Sequence, residues 1–167
     1  MKSPMELKKL TYIIILLTAV TLSGCKKDNW LDWKVQNELF MESPILLEPS
    51  LPVYTTASGL KYQVEAQGNQ WDTKPGSTSV VTVDYAGYLI NGSRFDGGTA
   101  QFYVSSVVSG FAEGLKLMNV HGDYILYIPW ELGYGKDGNE ASEGGSAFIP
   151  PYSTLIFRVH LSASQSQ

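Results

Sequence analysis

The sequence predicts an α+β domain in which an antiparallel sheet curls over one short helix. After Gly59, several segments alternate apolar and polar residues with the two-residue period of half-buried strands. One segment among them, GFAEGLKLM at 110–118, instead has helical spacing. With 167 residues, 44% of them hydrophobic, the length suits one domain with a substantial core rather than two.

Each predicted strand places most of its apolar residues on one face. The predicted strands cover 60–64, 81–89, 102–104, 124–128 and 155–161. In the last strand, Phe157 and Val159 face inward, whereas Ile156 and Arg158 face outward. Alternation of this kind is typical of a sheet with one buried face.

An Asn91-Gly92 turn signal joins the second strand to a segment that ends at Phe95-Asp96. Two glycines, at 97 and 98, follow directly. We interpret them as a loop, because glycine lets the chain turn away sharply. Asp96 would then stand at the end of an apolar segment, beside that loop.

The predicted helix presents one apolar face to the sheet. Phe111, Leu115 and Met118 recur at positions i, i+4 and i+7. Ser109 precedes them, and we expect its side chain to cap the first turn of the helix.

The first 24 residues are interpreted as a lipoprotein signal peptide. Three lysines precede an apolar run over 10–22, which is short for a membrane-spanning helix but suits a signal peptide. The run ends in Leu-Ser-Gly-Cys, which resembles the lipobox of bacterial lipoproteins, so we expect Cys25 to be lipidated. The alternative is a buried thiol in an uncleaved signal anchor. Cys25 is the only cysteine, which excludes a disulfide within the chain.

Residues 25–57 are predicted to form a lipid-anchored segment with a helix and a proline-rich connector. The helix is expected over 28–41, with Trp30, Trp33, Asn37 and Phe40 near one face. We favour a helix that packs its tryptophans on the domain, and the alternative is an element for partner docking or dimerisation. The connector contains Pro44, Pro49 and Pro52, which prevent a continuous helix.

The composition argues against nucleic acid as a partner, because the net charge is −4 and no basic stripe is present. The two histidines, His121 and His160, have no metal-ligand spacing. A Gly-x-Ser-x-Gly nucleophile motif and a phosphate-binding loop are also missing from the sequence. We therefore expect any activity to need no metal and no cofactor.

Five sequence blocks, in this order, resemble the FKBP-type peptidyl-prolyl cis-trans isomerases. The blocks are GLKYQV, VDYAGYLINGSRFDG, VVSGFAEGLKLM, IPWELGYG and IPPYSTLIFRVHL. The resemblance runs from about 58 to 161, and the predicted isomerase domain covers 58–163. It implies a half-barrel of five or six antiparallel strands around one short helix, with the active site in the apolar hollow between them.

The resemblance also implies which residues line that hollow. Catalytic roles would fall to Tyr85, Asp96 and Tyr134, and substrate binding to Phe95, Val107, Val108, Phe111, Ile149 and Phe157. Phe111 would form the floor under a proline ring, and the backbone N–H of Ile149 would donate to a substrate carbonyl. The Tyr85 hydroxyl would hold a charged Asp96, for which the alternative is a residue that only caps a turn through its own backbone.

Two departures from the family pattern bear on catalysis. Many members have tryptophan where this chain has Phe111, and an aromatic residue after Asp96 is expected to be replaced by Ala100 or Gln101. A glycine-rich flap is expected over 135–145.

The family implies proline-containing polypeptides as substrates and a macrolide as a further ligand. With the predicted anchor, we expect an isomerase that assists folding of exported proteins in the bacterial cell envelope, with the outer membrane favoured. The competing hypothesis is a lipid-anchored proline-peptide binding or chaperone module with little turnover.

Overall fold

Six antiparallel strands and two helices build the protein, described by a computed structural model over residues 29–44, 48–140 and 148–165. The strands are β1 (Tyr54–Thr55), β2 (Lys61–Ala66), β3 (Val80–Tyr88), β4 (Arg94–Tyr103), β5 (Asp123–Ile128) and β6 (Leu155–Gln165), and the helices are α1 (Asn29–Glu42) and α2 (Ser109–Leu117). Single 3-10 turns cover Val104–Ser106 and Trp130–Leu132. The sheet order is β1-β2-β5-β6-β3-β4, which confirms the predicted α+β class. The predicted signal peptide, Cys25 and residues 141–145 of the predicted flap lie outside the described residues.

The main core lies between α2 and one face of the sheet. Leu115 of α2 and Met118 just after it are fully buried against inward residues such as Val83 and Leu161. The alternation in the sequence identified this face correctly.

Helix α2 lies very close to β5, and two glycines make that approach possible. A Cβ atom at Gly110 would overlap the side chain of Ile128, and one at Gly114 would overlap that of Leu126. The predicted cap is wrong: Val108 precedes the helix, and the Ser109 hydroxyl donates to the backbone oxygen of Leu132 at 3.1 Å. Ser109 therefore ties α2 to the second 3-10 turn.

Strand β4 is longer than predicted and includes the two glycines interpreted as a loop. Gly97 pairs with Ala86 and Gly98 pairs with Tyr85 in the β3–β4 ladder. Their φ angles of 147° and 150° belong to a region that residues with side chains rarely adopt. The loop prediction is wrong because these glycines serve an unusual strand conformation rather than a turn.

Helix α1 covers the opposite face of the sheet, which the sequence did not predict, and its Trp33 packs against the main core. Phe40 and Met41 pack on a second apolar cluster that contains Ile125, Tyr127 and Ile156. Because α1 packs on this face, strand residues that the sequence predicted to face outward, such as Ile156, are buried. Among the described helices, neither has the length and apolar character needed to cross a membrane.

Gly114→Ala is expected to lower the free energy of unfolding by about 1–3 kcal/mol, although alanine favours helices. The new methyl group would collide with Leu126, which is fully buried and has no free space to enter. Urea denaturation measures the change. Gly76→Ala is the matched control, since its Cβ would meet only the Ser79 hydroxyl at 3.8 Å and should change stability by less than about 0.5 kcal/mol. Wild-type stability in Gly114→Ala would contradict the close approach.

Candidate active site

An aromatic cavity of about 270 Å³ opens beside the N-terminal end of α2. Its lining comes from β3, β4, β6, both 3-10 regions and the first turn of α2. The lining residues are Tyr85, Asp96, Phe102, Ser106, Val107, Val108, Phe111, Tyr134 and Phe157. The chain thus brings residues from positions 85 to 157 to one site.

Phe111 forms the floor of this cavity, and three other rings surround it. Its ring centroid lies 4.8 Å from that of Phe157, 6.2 Å from that of Tyr85 and 6.4 Å from that of Phe102. The rings are tilted or edge-on, which is the favourable arrangement for aromatic quadrupoles. The result is a rigid apolar surface of a size that suits a small ring.

Gly87 on β3 leaves room for the rings of Phe95 and Phe157 beside the cavity floor. A Cβ atom at Gly87 would lie 2.7 Å from ring carbons of both Phe95 and Phe157. These two rings pack edge to face at 5.4 Å, so Phe95 supports Phe157 from the core side.

The Tyr85 hydroxyl and the Asp96 carboxylate lie close together at the edge of the cavity. Burial and the neighbouring Asp96 carboxylate raise the pKa of Tyr85 to about 12. Asp96 Oδ1 accepts the backbone N–H of Gly97 at 2.8 Å. The carboxylate is therefore fixed by the backbone of its own strand, on the side of the cavity where Tyr85 lies.

Tyr134 supplies a second hydroxyl to the lining of the cavity. It follows the Trp130–Leu132 turn and remains 36% exposed. Burial of the phenol, with a smaller effect of the Asp96 charge, raises the pKa of Tyr134 above its ordinary value. Both tyrosines are thus neutral hydrogen-bond donors at physiological pH.

Two predicted site residues lie in the core rather than on the lining. Phe95 is behind Phe157, as described above, and Ile149 is fully buried. The N–H of Ile149 donates to the backbone oxygen of Asn139 at 2.9 Å. This N–H is therefore already paired within the protein and is not free to donate to a substrate, as the sequence predicted it would. The other seven predicted pocket residues line the cavity.

Phe102 and Ser106 were missed by sequence reasoning. The Phe102 ring stands edge-on to Tyr85 at 5.6 Å and lines the cavity. It pairs with Val81, whose side chain is buried. Recognising 94–103 as one strand would have placed Phe102 on the inward face.

A larger groove of about 370 Å³ lies on the other face of the sheet, beside α1. Its cation, Arg158, is already paired with Glu48 and Glu65. The aromatic cavity is therefore the better candidate, since it combines an apolar floor with convergent hydroxyls.

Comparisons with known proteins agree with this geometry. The family model for FKBP-type peptidyl-prolyl cis-trans isomerases matches residues 72–162. The chain is 43% identical over 114 residues to the FKBP-type 22 kDa peptidyl-prolyl cis-trans isomerase of Escherichia coli, a match covering 65% of this chain and 52% of that protein. It is 40% identical over 109 residues to the outer membrane protein MIP of Legionella longbeachae, covering 62% of this chain and 43% of that protein.

The crystal structure of FkpA from Escherichia coli superposes with a TM-score of 0.69 and 29% identity, covering 98% of this chain and 74% of that one. The match to the curated relatives spans about half of their length or less.

Asp96→Asn is expected to lower the pKa of Tyr85 from about 12, because it removes the negative charge that opposes the phenolate. Because folding raises this pKa, the neutral Tyr85 phenol stabilises the folded state. That stabilisation is complete below pH 10 and is lost as the pH rises through about 12. Absorbance titration, with Tyr85→Phe to identify its signal among ten tyrosines, measures the shift. Asp84→Asn, which also removes a carboxylate and lies next to Tyr85 on β3, is the control and should leave the titration of Tyr85 unaltered. An unchanged pKa in Asp96→Asn would contradict the contact.

Proposed function

Because the chain belongs to the family of FKBP-type peptidyl-prolyl cis-trans isomerases, we propose that its aromatic cavity isomerises X-Pro bonds in polypeptides. The observation that carries the proposal is the Phe111 floor, enclosed by three rings and bordered by two neutral tyrosine hydroxyls. The proposed substrates are proline-containing polypeptides, and the chemistry needs no cofactor.

The barrier to rotation about a peptide bond is ~18–20 kcal/mol, because rotation breaks amide resonance. The twisted imide has lost that resonance and the charge separation that accompanies it. An apolar cavity therefore stabilises the twisted state relative to the planar one, which water solvates better. A thousandfold acceleration needs only about 4 kcal/mol of such selective stabilisation. No proton has to be transferred.

In this proposal the pyrrolidine ring lies on Phe111, between Phe157 and the two valines at 107 and 108. The Tyr134 hydroxyl donates to a carbonyl next to the proline, and Asp96 orients Tyr85. The backbone N–H of Val108 replaces that of Ile149 as the second donor. Val108 precedes α2, and its N–H makes no hydrogen bond to another described residue. A macrolide is proposed as a further ligand of the same apolar floor.

Phe111→Ala is expected to lower kcat/KM by about tenfold or more, because it removes the surface that favours the twisted imide. Tyr134→Phe should lower it less, since one hydrogen bond is lost. A protease-coupled assay with a proline peptide measures both, and urea denaturation verifies that the variants are folded. Trp71→Ala is the control, because Trp71 is 95% exposed and outside the cavity.

Wild-type turnover in Phe111→Ala would contradict this site. Peptide binding without acceleration in the wild-type protein would instead support the proline-peptide binding module.

We further propose that the protein assists folding of exported proteins in the bacterial cell envelope, anchored through lipidated Cys25. The Leu-Ser-Gly-Cys sequence after a charged and apolar segment supports this location. A relative that is named an outer membrane protein also supports it and favours the outer membrane.

Cys25→Ser is expected to abolish incorporation of a fatty-acid analogue and to move the protein from the membrane fraction to the soluble fraction. Acyl chains contribute about 0.8 kcal/mol for each buried methylene, so their loss should release the protein. Ser23→Ala, which keeps the thiol, is the control. Labelling that persists in Cys25→Ser would contradict the anchor.

A further inference from the structure

Helix α1 holds a fully buried amide against the loop that leads into β6. Asn37 has no exposed surface, and a buried amide must have its hydrogen bonds satisfied. Its Oδ1 accepts the backbone N–H of Thr154 at 2.7 Å, and its Nδ2 donates to the backbone oxygen of Trp33 at 2.8 Å. One side chain of α1 thus fixes the backbone directly before β6.

Trp33 makes a second connection, one residue earlier in the same loop. Its Nε1 donates to the Ser153 hydroxyl at 2.9 Å, and that hydroxyl donates to the backbone oxygen of Pro150 at 2.7 Å. The loop over 150–154 is therefore bonded to α1 at two neighbouring residues. Neither Trp33 nor Asn37 lines the cavity.

The loop continues this chain of contacts to the turn that carries Tyr134. The N–H of Tyr152 donates to the backbone oxygen of Gly135 at 2.9 Å, and its ring stands edge-on to Trp130 at 5.1 Å. Lys34 of α1 lies over both rings, 5.3 Å from that of Tyr152 and 5.6 Å from that of Trp130.

Tyr134 itself sits between two residues that share one acceptor. The N–H groups of Gly133 and Gly135 donate to the backbone oxygen of Trp130 at 3.1 and 2.9 Å. The position of the Tyr134 hydroxyl thus depends on where Trp130 lies, and Trp130 lies under α1. Only Tyr134, of all these residues, reaches the cavity.

We infer that α1 is a positioning element of the isomerase site: Asn37 and Trp33 fix the 150–154 loop, and through it the turn that presents Tyr134 to the substrate. This inference rests on the proposed function. On this inference α1 contributes to catalysis, although neither Trp33 nor Asn37 lines the cavity. A displacement of Tyr134 by a fraction of an ångström would weaken its hydrogen bond in the twisted state.

The test is a double-mutant cycle on the full chain, with the proline-peptide assay as the readout. Asn37→Ala should lower kcat/KM by about threefold to fivefold in the wild-type background, and by no more than Tyr134→Phe does, because it acts through that hydroxyl. In the Tyr134→Phe background the same change should cost less than about twofold, because the hydroxyl that it positions is already gone. Gln36→Ala, at an exposed position next to Asn37, is the matched control and should leave activity unchanged.

Amide hydrogen exchange provides a readout that does not depend on activity. Asn37→Ala should reduce the protection of the Thr154 and Tyr152 amides and spare that of Val104, which donates to Ser79 at 3.0 Å elsewhere in the fold. If Asn37→Ala does not fold, Trp33→Phe keeps an aromatic ring against the core but removes the bond to Ser153, and it should give the same pattern with smaller changes.

Two results would overturn the inference while leaving the proposed function intact. One is an active wild-type protein with unchanged kcat/KM in the folded variants. The other is an equal loss in both backgrounds, which would assign Asn37 a structural role alone. A wild-type protein without turnover would instead overturn the proposed function, and the catalytic role of α1 with it.

Discussion

The close contact between α2 and β5 is the constraint on which the rest of the site depends. Gly110 and Gly114 bring the helix backbone against Ile128 and Leu126, a distance that no larger residue permits. Because Phe111 directly follows the first of these glycines, the contact sets the depth of its ring. A helix held farther from the sheet would raise that ring and fill the cavity. The packing of α2 against β5 in the core therefore also determines the shape of the site.

The sheet has two buried faces, and polar side chains connect the second face to distant segments. Gln63 of β2 is fully buried; its amide donates to the backbone oxygens of Glu48 and Leu51 and accepts the Tyr127 hydroxyl at 2.7 Å. The buried side chain of Asn37 likewise connects α1 to the backbone before β6. These satisfied amides specify where the N-terminal segment lies, which apolar contacts alone would leave less determined. The segment before the sheet is thereby part of the domain's structure.

Alternating patterns were enough to predict the sheet, the orientation of its strands and the helix under it, since the inward face repeats every second residue. Sequence reasoning failed where a residue's environment comes from remote parts of the chain. The N–H of Ile149 is unavailable because Asn139 accepts it. The spacing placed Asn37 near the apolar face of its helix, but its partner Thr154 is 117 residues away and could not be predicted. Gly97 suggested a loop because composition does not distinguish a turn from an unusual strand conformation. That error also concealed Phe102.

Among the residues that the structure describes, two strands form the edges of the sheet and bear on how a polypeptide can meet this surface. One edge is β1, which is only two residues long, and the other is β4, where Gly97 and Gly98 have φ angles of 147° and 150°. Both features interrupt the regular row of unpaired backbone groups that strand addition requires. Strand addition therefore finds little template here. Under the proposed function, a polypeptide would be held through its side chains at the aromatic cavity rather than by main-chain pairing at an edge of the sheet.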